Sequence, residues 1–278
     1  KEHESKSDKK EDEEEKADET KKDEKPKKDS IFIKIYDGDR LIRTLSHKTP
    51  KKAGFHRVYW GLDEKGPDTP ARKISKSKRE NGGVSVKPGT YNVKIQYGDH
   101  SDSTRVIVKT DPRIKTSFEG IQEVYDMGKR LEDYTQTAAD AVKQLVQNKN
   151  LAQKFEKEMK ELDKEKYKDQ IKASRDIVKK IDSVVALYLG KEDKRQGITR
   201  NPEITVMQRL NTASFYVGTR KSGITETEKK LVQFAQEELK GALDKTNSFF
   251  TKDWKPYQKS IEALNLSPFK ETQIFELD

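Results

Sequence analysis

The side chains best suited to proton transfer or metal ligation in this 278-residue chain are four histidines, His3, His47, His56 and His100. A zinc site built on a helix needs two ligands four residues apart, and no pair here has that spacing. They read as loop or strand-surface residues. Asp37 and Asp39 flank Gly38 and could offer hard oxygen ligands to calcium, but the rest of an oxygen cage is missing, so the trio reads as a hairpin turn. Gly218-Thr219-Arg220-Lys221-Ser222-Gly223 has phosphate-loop residue types without phosphate-loop spacing or a preceding strand, and it reads as a loop between helices. Carboxylates are abundant. Glycosidic chemistry needs two of them in a cleft at a defined separation, whereas these alternate with lysines on solvated helix faces. The absence of cysteine removes disulfides, thiolate zinc sites and cysteine nucleophiles. The expectation is therefore no catalytic, cofactor-binding or metal-ligating residue in this chain, and no cofactor.

The aromatic residues are more suggestive. Phe250, Trp254, Tyr257, Ile261 and Leu264 fall at i, i+4, i+7, i+11 and i+14, the spacing of a buried helix stripe. With Phe249 added, the group carries more aromatic area than one narrow stripe needs, so a contact surface for another domain stands beside core packing. Trp60 has the same two readings. Trp60, Phe249, Trp254 and Tyr257 are the candidate interaction surface.

The elements that must position these residues change character along the chain. Residues 1–30 are almost all Lys, Glu, Asp, Ser and Thr, a composition that cannot offset the entropy of ordering, and read as a disordered insertion or linker. From 31 to 113 the pattern is that of a β-sandwich. Ile31 to Tyr36 alternates, Asp37-Gly38-Asp39 turns, and Leu41 to Leu45 returns. Further strands are expected at His56–Leu62, Val84–Val86, Tyr91–Tyr97 and Thr104–Val108, with a type II turn at Pro88-Gly89. From 114 to 278 the period becomes helical, and four antiparallel helices forming a bundle are expected. The first carries Ile121, Val124, Tyr125, Gly128, Leu131, Ala138, Val142 and Leu145 and continues through a charged stretch. The second ends at Gly190 in a left-handed stop, and a polar connector covers 191–202. The third runs from about Glu203 to Val217. Thr225 and Glu228 form a capping box that opens the fourth, which Pro256 should kink or widen without ending it.

The net charge of +9 raises nucleic-acid binding as one function class. Residues 1–29 carry −3, so the remainder carries +12. That excess is spread along helices and not gathered into a basic stripe with interleaved aromatics, so no nucleic acid is expected. No apolar run approaches the roughly 18 residues of a membrane span. The opening Lys1-Glu2-His3-Glu4, without a starting methionine, reads as a fragment of a longer protein.

Several segments together resemble a known module. Residues 33–45, from Ile33-Lys34-Ile35-Tyr36-Asp37-Gly38 through Arg43-Thr44-Leu45, resemble the first hairpin of the Ig-like module in flagellar hook-capping proteins. Ala53-Gly54-Phe55-His56-Arg57-Val58-Tyr59-Trp60-Gly61-Leu62 is similar to the module's "A-G-x-[NH]-R-V-x-W-D-L", with Gly61 where Asp is usual. Pro88-Gly89-Thr90-Tyr91-Asn92-Val93 and the exit Asp111-Pro112-Arg113 match as well. An Ig-like sandwich followed by such helices resembles the C-terminal region of secreted bacterial sortilin-like propeller proteins with Asp-box repeats, often labelled glycosyl hydrolases. The resemblance implies a non-catalytic accessory region that docks on and stabilises the propeller of the same polypeptide. It also implies a secreted, periplasmic or cell-surface location, and contact with another protein or a glycan. Any hydrolase or ligand-binding site would lie in the propeller. In that family a strand precedes the charged segment, so residues 1–29 would interrupt the sandwich.

Overall fold

The structure, a computed structural model, describes residues 30–52, 54–75, 77, 79–192 and 203–264. The expected insertion at 1–29, most of the connector at 191–202, and His3 lie outside the described residues.

The β region begins with the hairpin that the alternation implies. Strands β1 (Ser30–Asp37) and β2 (Arg40–Lys48) pair antiparallel around a turn in which Gly38 has φ +60°. A bulge at Ile35/Tyr36 sets Ile35 opposite Arg43 and Tyr36 opposite Leu41. Ile42 is thereby left without a ladder partner, and it is buried. Strands β5 (Gly89–Tyr97) and β6 (His100–Val108) complete a four-stranded antiparallel sheet in the order β2-β1-β5-β6. Strands β3 (Asp63–Lys65) and β4 (Gly82–Ser85) form a separate two-stranded ribbon. The buried cluster of the region is small: Ile35, Ile42, Val86 and Tyr91, with Trp60 and Ile33 among the half-buried residues packed on it.

Two local expectations are corrected here. His56–Leu62 is not a strand: it forms no strand ladder and makes only a single backbone bond, from the Val86 N–H to the Leu62 carbonyl at 2.8 Å, where Leu62 has turned to φ 55°. Phe55 is fully exposed, with Tyr59 and Val58 also exposed. Alternating side chains favour an extended chain, but a strand also needs a neighbour for its backbone groups. The type II turn at Pro88-Gly89 is absent as well. That turn requires a positive φ at Gly89, which is not found; Gly89 instead enters β5 opposite Val108.

Four helices and a fifth segment follow. Helix α1 (Phe118–Asp163) is one unbroken 46-residue element, started by Ser117, whose Oγ accepts the Gly120 N–H at 3.0 Å. Helix α2 (Lys168–Leu189) ends at Gly190, which has φ 78° and ψ 176°. Its positive φ was expected, but its ψ is extended and not left-handed helical. Helix α3 (Val206–Thr219) starts three residues later than the sequence suggests, because Thr205 caps it through the Gln208 N–H at 3.2 Å. Helix α4 (Glu226–Phe249) opens on the expected capping box, with the Thr225 N–H donating to Glu228 at 2.9 Å.

Pro256 does widen the last helix. Phe250–Trp254 form a π turn, and α5 (Lys255–Glu262) carries on beyond it. Proline lacks the N–H that would bond the carbonyl of Lys252 and its ring crowds that carbonyl, and a wider turn relieves both. The helices share one continuous apolar core, in which Leu131, Val142, Leu145, Met159, Ile181 and Leu210 are almost wholly buried. Two hydroxyl pairs are satisfied inside it, Tyr188 with Thr246 at 2.8 Å and Ser174 with Tyr257 at 2.9 Å. Among the described residues no helix is long and apolar enough to cross a membrane.

Candidate functional site

The densest polar chemistry lies where β2, the β3–β4 ribbon and the first half of α1 meet. Tyr125, Lys129, Glu132 and Gln136 follow i, i+4, i+7 and i+11, so α1 aims one polar row at the β region. At the centre is Glu64 on β3, only 4% exposed. Its carboxylate accepts from both terminal nitrogens of Arg40 at 3.0 and 2.8 Å and from the Tyr125 hydroxyl at 2.7 Å, with Lys129 Nζ 3.8 Å away. Burial alone would raise the Glu64 pKa, but the bonds from Arg40 and Tyr125 together outweigh it and hold the carboxyl below its ordinary value. Burial, and then the bond to Glu64, push the Tyr125 phenol up to about 12. The bidentate bond to Glu64 keeps the Arg40 guanidinium charged even more firmly than usual.

Around this hub the ribbon is fastened on both sides. On the sheet side, the Arg43 guanidinium donates to the carbonyls of Glu64 and Asn81 and lies 3.6 Å from Asp63. On the helix side, Glu132 accepts the Val84 N–H at 2.6 Å and Lys129 Nζ at 2.5 Å, and Gln136 accepts the Asp68 N–H at 2.9 Å. Lys87 Nζ bonds the Gln122 side chain at 2.9 Å and sits 4.8 Å over the Tyr125 ring. Gly128 explains how the ribbon comes so close, since a Cβ there would stand 2.6 Å from Val84 Cγ1. Glu64 is ionised at neutral pH and saturated by its donors, so it is suited to holding the two regions together and not to taking a proton from a substrate.

Beside the hub is a cleft of about 570 Å³ between the ribbon, the end of β6, and helices α1 and α3. A second groove of about 530 Å³ lies between α1 and the last helix, lined by Leu151, Phe155, Trp254 and Ile261.

The four aromatic candidates do not come together. Trp60 stands edge-on to Tyr91 with centroids 5.6 Å apart, and its indole N–H donates to the Asp63 carbonyl at 2.9 Å, at the margin of the β cluster. Phe249 and Tyr257 are buried in the helical core. Trp254 is half-buried, 5.4 Å from Tyr257, and lines the second groove. Of the histidines, His47 and His100 lie at the ends of β2 and β6, and His56 bonds the Lys52 carbonyl at 2.9 Å. Asp37 pairs with Arg40 at 3.2 Å. Among the described residues no group of three or more His, Asp or Glu could hold a metal ion.

Sequence reasoning missed Glu64, which reads as the start of a polar loop, and placed Tyr125 in an apolar stripe. The available signal was the polar row on α1 together with a glycine in mid-helix, which costs about 1 kcal/mol unless something must approach closely. No protein-family profile, curated protein sequence or solved structure matches this chain.

Proposed function

We propose that this chain is a structural, non-catalytic accessory region of a larger secreted bacterial protein, whose β region is an Ig-like sandwich completed by docking against another part of the same polypeptide. In this reading the helices form an antiparallel four-helix bundle that backs the sandwich, and the docked part is the propeller implied by the resemblance.

One observation carries the proposal: among the described residues, the apolar inner face of the sheet is covered at one end only. Ile31, Ile33, Ile35, Val93, Ile95 and Tyr97 share that face through the β1–β5 register. Ile35 is sealed, whereas Ile95 and Tyr97 are more than 40% exposed, and Phe55 and Tyr59 stand out from the unpaired stretch nearby in sequence to the ribbon. An apolar face left open beside a four-residue core is the signature of an unfinished interface. Glu64 gives the other half of the argument, since a carboxylate already saturated by Arg40 and Tyr125 is a clamp and not a base.

The test compares amide hydrogen exchange in this chain with that in a longer chain carrying the upstream polypeptide. Protection should rise at Ile95, Tyr97 and residues 54–59 in the longer chain, while the helical core stays the same. Equal exchange in both would overturn the docking role.

A further inference from the structure

We propose that the cleft beside the Glu64 hub is a binding site for an anionic amphiphile, a small molecule with an apolar chain or ring system that ends in a carboxylate or phosphate. The size fits. At about 570 Å³ the cleft lies within the range of small-molecule pockets, and it sits where two structural regions meet, a preferred place for such sites. One continuous part of its wall is apolar, supplied by Val84, Val86, Val108, Ile121, Val124 and Leu131, with polar and charged side chains around it.

The sign of the ligand's charge follows from which lining charges are already paired. Two carboxylates and four cations line the cleft. Glu132 is taken by Lys129 and the Val84 N–H, and Asp111 by Arg113 at 2.6 Å. Arg220 is held by Glu228 at 2.7 Å, and Lys87 by the neutral Gln122 side chain. Lys109 and Lys221 have no hydrogen bond or ion pair among the described residues. Both acids are therefore neutralised within the protein, while the Lys87 charge is met only by a neutral amide and the Lys109 and Lys221 ammonium groups line the cleft without a partner among the described residues. That combination disfavours a cation, and although Ser85, Thr110 and Asn211 can bond a neutral polar end, the unpaired ammonium groups favour an anion whose body remains in the hollow. The inference does not rest on the docking role, which uses a different surface.

Isothermal titration calorimetry on the full chain tests it with four probes sharing one dodecyl chain: dodecanoate, dodecyl phosphate, dodecanol and dodecyltrimethylammonium. One-to-one, saturable binding is expected for the first two, and their ranking separates a carboxylate site from a phosphate site. The ammonium probe should bind at least about tenfold more weakly. Ser214→Trp places a large ring from an exposed helix position into the hollow and should abolish binding without changing the melting temperature. Reversing both free charges (K109E with K221E) should weaken dodecanoate about tenfold. Comparable binding of the ammonium probe, no binding of either anion up to about 1 mM, or affinity unmoved by Ser214→Trp would each overturn the proposal.

Discussion

Removing the Glu64 carboxylate should loosen the β region from helix α1, and the cost can be worked from its contacts. Glu64→Ala deletes two bonds from Arg40 and one from the Tyr125 hydroxyl, all to a charged acceptor. Such bonds contribute about 1.5–3 kcal/mol each when a partner is stranded in the interior. Arg40, however, is half exposed and can turn to water, so its share is recovered in part. Tyr125 is more enclosed and is left with an unpaired hydroxyl. A net loss of about 2–3 kcal/mol follows, or roughly 5–10 °C in melting temperature for a protein of this size. Trp60 reports on the β region alone once Trp254→Phe removes the other tryptophan, so urea unfolding followed by its fluorescence reads the relevant transition. Tyr125→Phe should cost about 1 kcal/mol by itself, and the double variant should show a coupling of about 1 kcal/mol. Zero coupling, or a loss below about 0.5 kcal/mol for Glu64→Ala, would refute the view that this carboxylate joins the two regions.

Three further outcomes follow from the same structure. Glu228 is buried under Arg220 and Thr225, whose hydrogen bonds lower its pKa to about 2. Because the folded value lies below the ordinary carboxylate value, its stabilisation is present above about pH 4.3 and is lost as the pH falls toward 2, so Glu228→Gln should flatten the acid limb of a pH–melting curve in that window. Deleting Thr251 should close the π turn to an α turn and bring the Pro256 ring against the carbonyl four residues earlier, at a cost of about 3 kcal/mol in urea unfolding, and Pro256→Ala in the same background should recover most of that loss. Gly128→Ala should destabilise the protein through its clash with Val84, and in a Val84→Ala background it should instead stabilise by up to about 1 kcal/mol, as read from paired melting curves.

Where a feature depends on neighbours within a few residues, the sequence revealed it. The Ile31–Leu45 hairpin needs only its alternation and an Asp-Gly-Asp turn, and the capping box needs only Thr225 and Glu228 three positions apart. Pro256 announces its widened turn because the missing N–H and the ring clash are properties of the residue itself. Features that depend on a distant partner were not legible. His56–Leu62 has strand-like side chains but no strand to pair with, and Pro88-Gly89 has turn chemistry that the Gly89–Val108 pairing overrides. Glu64 is a further case: its role depends on Tyr125, 61 residues later, and nothing in the local run of Asp63-Glu64-Lys65 shows that a helix will cover it.

The length of helix α1 has a mechanical consequence. Its 46 residues make a rod of about 69 Å, and the β region grips only the portion around Gln122–Gln136. That grip is a fulcrum close to one end. The arm from the middle of that grip to Asp163 is about 51 Å, so a tilt of about 5° there would carry the opposite tip through about 4.5 Å. Whatever occupies the cleft beside Tyr125 therefore acts on the short arm of a lever whose long arm is the rest of the helical region.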